Sequence, residues 1–129
     1  MAPKYVVCHN TANEISYMIS NNNQVSCHIA VDDVNAIQGL PLNHNAWNVG
    51  DGASGPRNRY GIAVEICYSK SGGSKYTAAE ENAVYVIARL LYQYGLSIDD
   101  LKQHTDFSAK TCPHRIRDEG RWNSVKVRV

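Results

Sequence analysis

Apolar residues in this chain follow two rhythms. Short, nearly continuous hydrophobic runs bounded by polar stretches alternate with segments whose apolar positions recur every three or four residues. Lys4 to Cys8, centred on Tyr5, Val6 and Val7, predicts a short buried strand with His9 at its C-terminal end. Thr11 to Ser20 carries Ile15, Met18 and Ile19 at helical spacing, and Asn21-Asn22-Asn23 stops it. Ser26 to Val31 predicts a second strand, with Cys27, Ile29 and Val31 on one face and His28 and Ala30 on the other. An Asp32-Asp33 turn then leads to Val34 through Leu40 as a hairpin partner, closed by Gly39 and Pro41.

Pro41 to Arg59 reads as a loop rich in Asn, Gly, Ser and Pro, with Trp47 set among polar residues. An aromatic in such a loop is either a plug on the core or a platform for a ligand. Tyr60 to Tyr68 is the clearest strand, and its unbroken apolar run suggests cover on both faces. Glu65 lies in the middle of it. A carboxylate is almost never fully buried without a partner, so Glu65 is either salt-bridged or functional. A glycine-serine turn spans Ser69 to Lys75. Thr77-Ala78-Ala79-Glu80 then has the capping-box pattern and launches the longest helix, to about Tyr94. Its predicted buried stripe is Ala83, Val84, Ile87, Ala88, Leu90, Leu91 and Tyr94, and Gly95 ends it. Ser97 to Asp100 resembles a short helix start leading into His104, and Ile116 onward reads as a partly basic helix or tail.

Composition narrows the function classes. The length of 129 residues suits one domain with a real core. A net charge of +1 and a pI near 7.7 give no bulk electrostatic reason to expect nucleic acid or membrane as a partner. No apolar run approaches the roughly 18 to 20 residues that span a bilayer. Met-Ala-Pro-Lys-Tyr-Val-Val enters a strand-like run directly, without the pattern of a signal peptide, so synthesis in a cytoplasm is expected. Cys8, Cys27 and Cys67 sit in apolar runs and are expected to be buried thiols. Cys112 differs, because polar residues and a proline flank it.

The segment from His104 to His114 concentrates the candidate chemistry, with two histidines, an aspartate, a lysine and a cysteine. Eight helical steps would part His104 from Cys112 by roughly 12 Å. Two ligands of one zinc ion lie within about 4 Å of each other. Shared ligation therefore requires the chain to turn back between them, and Pro113 suits that, since it pushes the preceding residue out of helical geometry. The candidate ligands are Cys112 and the histidines at 9, 28, 44, 104 and 114. His9, at a strand end, can meet the folded-back loop in space. His44 sits in a polar loop where a solvated ring is usual. His114 follows Cys112 too closely to share an ion without strain, and His28 suits a site that needs no metal. A hydrolase would add a general base and an oxyanion stabiliser, and Glu65 and Lys110 are residues of those types.

Taken in order, these segments resemble the zinc-dependent N-acetylmuramoyl-L-alanine amidases of the peptidoglycan-recognition-protein (amidase-2) type, in particular the catalytic domains of phage and prophage endolysins. Val-Val-Cys-His9-Asn-Thr-Ala is similar to the family's first motif, and Ser26 through Asp32 to its second. Asn45-Ala46-Trp47-Asn48-Val49-Gly50 and Gly61 through Cys67 match the third and fourth. His104, Lys110 and Cys112 followed by Pro113 match the last. The resemblance implies a single α/β domain over residues 1–129, a central mixed sheet flanked by helices, with a C-terminal wall-binding domain absent from the chain. It implies Zn2+ held by His9, His104 and Cys112, with Glu65 activating water and Lys110 stabilising the oxyanion. The implied reaction is hydrolysis of the amide between the lactyl group of N-acetylmuramic acid and L-alanine in bacterial peptidoglycan. His28, Trp47 and Asn48 are candidate substrate contacts.

Two departures bear on mechanism. Many relatives carry a tyrosine where this chain has Cys27, which shifts the acid-base burden toward Glu65. Many also read Ala-Trp-His-Ala-Gly where this chain has Asn48. The alternative function is a muropeptide-binding module of the same fold that does not cut its ligand, and the presence of Cys112 favours the enzyme. The expected setting is a monomeric endolysin domain, made in a bacterial cytoplasm and released to the wall through a holin, with peptidoglycan rather than nucleic acid or membrane as its partner.

Overall fold

The computed structural model describes residues 3–12, 27–39, 42, 61–107 and 111–129. Five strands form one sheet: β1 (Tyr5–Asn10), β2 (Ile29–Val31), β3 (Ala36–Gln38), β4 (Gly61–Ile66) and β5 (Leu101–Gln103), in the order β3-β2-β4-β1-β5. The β2–β3 pair is antiparallel and the other pairs are parallel. The helices are α1 (Gly73–Gln93), α2 (His114–Asp118) and α3 (Trp122–Arg128), with short 3-10 turns at Ile98–Asp100 and His104–Asp106. This is the mixed α/β architecture expected from the sequence.

β4 lies between β2 and β1 and is buried at every position. That explains its unbroken apolar run, because a strand covered on both faces has no solvent side on which to place polar residues. One face of the sheet supplies Val6, Cys8, Ile29, Val31, Ile62, Val64 and Ile66 to the main core. Tyr76, Ala79, Ala83, Val84, Ile87, Leu90 and Leu91 of α1 pack against them, with Ile116 and Val125 from the C-terminal helices. Burial of each large aliphatic side chain contributes about 1.5 to 3 kcal/mol. The predicted hairpin is present. Asp32 Oδ1 accepts from the backbone N–H groups of Val34 and Asn35 at 2.8 and 2.6 Å, which fixes the turn between β2 and β3.

Several sequence expectations change. α1 starts at Gly73, inside the segment read as a turn, and its N-cap is Gly72 at φ 64. The positive φ favours glycine there, whereas the Arg115 guanidinium 2.7 Å from a Cβ is the end of a flexible side chain that can shift. Thr77 does not cap the helix; its hydroxyl donates to the Gly73 carbonyl one turn back. Glu80 does not reach back to an N-cap either. It is buried and bound by Arg121 and Arg128, an interaction stronger than a cap. Ser97 and Asp100 do form a capping box, but around a single 3-10 turn that runs into β5. β5 is too short for periodicity to reveal, and pairing with Val6–Cys8 of β1 creates it. The C-terminal segment forms two short helices. The helix expected within Thr11–Ser20 lies outside the described residues from position 13 onward, as do Ser26 and Tyr60 at the starts of two predicted strands and most of the Pro41–Arg59 loop.

Candidate metal centre

The register of β1 against β4 places His9 directly opposite Glu65, and β4 against β2 places Ala30 opposite Glu65. Residues so paired share a face of the sheet. His9 and Glu65 therefore stand on the face opposite the α1 core, at the C-terminal ends of adjacent parallel strands, where ligands of open α/β sheets bind.

β5 continues straight into the turn that presents His104. The Gln103 N–H donates to Asp106 Oδ2 at 2.8 Å and the Phe107 N–H to the His104 carbonyl at 3.0 Å, closing the turn around the ring. The predicted fold-back is present: the Thr105 N–H donates to the Cys112 carbonyl at 3.0 Å. The ligand atoms of His9, His104 and Cys112 consequently lie within 4.8 Å of one another, and all three side chains are buried. Cys112 Sγ is 3.7 Å from His9 Nδ1, and the His9 and His104 ring centroids are 4.8 Å apart in an edge-on arrangement. Glu65 is also buried, with Oε1 3.7 Å from His9 Nδ1.

This donor set fits zinc. Two imidazoles and a thiolate are ligand types that zinc prefers, and three protein ligands are the number found in catalytic zinc sites. Tetrahedral bonds of about 2.0 and 2.3 Å put a nitrogen and a sulfur ligand roughly 3.5 Å apart, close to the observed 3.7 Å.

The remaining candidates divide by position. His28 is fully buried immediately before β2, and its Nδ1 accepts from the Ala63 N–H at 2.9 Å. That bond assigns the ring proton to Nε2. His114 turns away from the triad toward Ser69, with Nε2 2.7 Å from Oγ, as expected of a histidine that cannot share the ion with Cys112. Lys110, His44, Trp47 and Asn48 lie outside the described residues. Cys8, Cys27 and Cys67 are buried free thiols, as expected. Burial, followed by the nearby Glu65 charge, pushes the Cys27 and Cys67 thiols up to about 12. They are therefore inert at neutral pH. Sequence reasoning missed Asn10, the residue after His9, which is buried and bonded to two helices.

The family profile of N-acetylmuramoyl-L-alanine amidases (Amidase_2) matches residues 1–115. The chain belongs to that family. Among curated relatives, this amidase-family chain is 56% identical over 135 residues to N-acetylmuramoyl-L-alanine amidase XlyB of Bacillus subtilis (strain 168), covering 100% of the chain and 43% of the relative. It is 51% identical to N-acetylmuramoyl-L-alanine amidase CwlA of the same strain, covering 100% and 50%. The chain thus spans about half the length of these curated relatives or less. Among solved structures, PlyL superposes with a TM-score of 0.92 at 51% identity, covering 98% of this chain and 83% of that one. The PlyG catalytic domain superposes with a TM-score of 0.88 at 54% identity, covering 98% and 79%. Among the described residues, no helix is long and apolar enough to cross a membrane.

Proposed function

We propose that this domain, residues 1–129, is a zinc-dependent N-acetylmuramoyl-L-alanine amidase that hydrolyses the amide between the N-acetylmuramic acid lactyl group and L-alanine of the peptidoglycan stem peptide. The observation that carries the reading is the buried His9, His104 and Cys112 cluster with Glu65 beside it, in a chain of the amidase family. His9, His104 and Cys112 hold the ion. Zinc there supplies Lewis acidity, which acidifies water and polarises an amide carbonyl. Glu65 takes a proton from the attacking water as the C–O bond forms. It returns that proton to the departing amine of L-alanine as the C–N bond breaks. Burial next to a cationic centre keeps the Glu65 carboxylate dry and oriented for both transfers. By the family resemblance Lys110 is assigned to stabilise the developing oxyanion, and His28, Trp47 and Asn48 are the candidate contacts to the muropeptide. The setting that fits this activity is an endolysin domain made in a bacterial cytoplasm and acting on the wall after release.

Digestion of purified peptidoglycan, with zinc content measured by elemental analysis on the same sample, tests the proposal. Release of new free N-terminal L-alanine, abolished by chelation and restored by zinc, is the expected result. Binding without release supports a muropeptide-holding module instead, and different new termini assign the cut to another bond.

A further inference from the structure

β1 ends in two polar residues that project to opposite faces of the sheet. His9 faces the metal centre, whereas Asn10, 7% exposed, faces the helices. Asn10 Oδ1 accepts from the backbone N–H groups of Arg115 at 2.9 Å and Ile116 at 3.3 Å, in the first turn of α2. Its Nδ2 donates to the Tyr76 hydroxyl at 3.2 Å, and that hydroxyl donates to Glu80 Oε1 at 2.7 Å. The single hydroxyl proton is committed to Glu80, so a lone pair faces Asn10. That requires the NH2 end of the amide there and leaves its carbonyl oxygen for α2. The far end of the chain is firm, because Arg121 and Arg128 both bind the buried Glu80 carboxylate.

α2 begins immediately after Cys112 and Pro113. Asn10 therefore joins the neighbour of one ligand to the helix that follows another, across 105 residues of sequence. The same helix reaches toward the third ligand, since Arg117 Nη1 donates to Gln103 Oε1 at 3.1 Å and Gln103 precedes His104. An imidazole on a strand end and a thiol on a loop lie 3.7 Å apart. The Asn10 bonds to α2 help to hold them there without the ion.

Resting on the reading of His9, His104 and Cys112 as zinc ligands, we propose that Asn10 is a positioning residue of the metal centre. It touches neither ion nor substrate. It clamps the Cys112 segment to the end of β1, so that the donor atoms are in place before the metal arrives and binding does not have to order them. A residue that served stability alone would lower the melting temperature and leave the metal affinity of the folded protein unchanged.

The test measures zinc affinity by chelator competition, and the absorption bands of the cobalt-substituted protein, in wild type, Asn10→Ala, Asn10→Asp and Cys112→Ser. For folded Asn10→Ala the expected result is zinc affinity weaker by about 10- to 100-fold, with shifted cobalt bands. Asn10→Asp, which keeps an acceptor for α2, is expected to retain bands close to wild type. A folded Asn10→Ala protein with wild-type affinity and bands overturns the positioning role. If Asn10→Ala shows no cooperative melt, Asn10→Leu, which keeps the volume but offers α2 no acceptor, carries the test: unchanged affinity and bands in it overturn the proposal equally. Wild type that binds no zinc, or Cys112→Ser that binds as tightly as wild type, overturns the ligand assignment and this proposal with it. Tight wild-type binding lost in Cys112→Ser leaves the ligand assignment standing whatever Asn10 does.

Discussion

Cys8 and His9 are adjacent in sequence and lie on opposite faces of one strand. Cys8 packs under α1 with Val64 and Ile29, and burial raises its thiol well above the usual value. His9 stands on the other face with Glu65 and meets His104 and Cys112. One face is built of apolar groups that satisfy each other wherever they are close-packed. The other carries, beside the small apolar cluster of Cys27, Ala30 and Ala63, polar groups that suit burial only in a particular mutual geometry. The sheet's two-residue alternation lets both be encoded in the same few positions, so a defect on one face should read out differently from a defect on the other.

The sharpest break of this contrast is Cys112→Ser. It is expected to abolish bound zinc and peptidoglycan hydrolysis while far-ultraviolet circular dichroism stays native; full activity of metal-depleted Cys112→Ser protein would sink the zinc mechanism. Glu65→Ala comes next. Zinc content and fold should persist while turnover falls by roughly 10²- to 10⁴-fold, the usual worth of a positioned general base. Rates near wild type would move the base to another residue. On the apolar face, Ile87→Ala should cost about 2 to 5 kcal/mol by chemical denaturation and leave the turnover of the folded fraction intact. A matched loss of turnover per folded molecule would show that the two faces are not independent.

The smallest effect concerns acid. Burial alone pushes the Glu80 carboxyl up, but hydrogen bonds from Arg121, Arg128 and Tyr76 outweigh it and hold the group below its ordinary 4.5. A depressed folded value means that the stabilisation is fully present above about pH 4.5 and fades as pH falls through the folded value. Melting temperatures followed downward from pH 6 should therefore drop less steeply in Glu80→Gln than in wild type. Parallel curves would assign acid sensitivity to other carboxylates.

Legibility in the sequence followed the length and regularity of each signal. Tyr60–Tyr68 and the helix to Tyr94 were readable because many residues repeat one pattern, and the Asp32-Asp33 turn because its side chain makes the turn. Leu101–Gln103 was not, since three residues carry no period and the strand exists only through its pairing with β1. Thr77 and Glu80 misled because a capping box is a local pattern, while Glu80 answers to arginines about forty residues away. At the site, shared ligation by His104 and Cys112 required the loop between them to fold back and the strand end made His9 a candidate, but the choice of His9 among the histidines came from family resemblance. The bonds of Asn10 to α2 left no trace in sequence because they come from backbone N–H groups, which every residue but proline supplies.

His9 and Cys112 are separated by 103 positions, which sets an order of events during synthesis. β1 emerges first, yet both strands that flank it, β4 and β5, are translated much later. Its partner β5 and the co-ligands His104 and Cys112 therefore do not exist until more than a hundred residues have been made. A nascent chain holds the parts of the centre without the centre itself. For a domain whose proposed target is the cell wall, competence thus waits for Cys112 to be made.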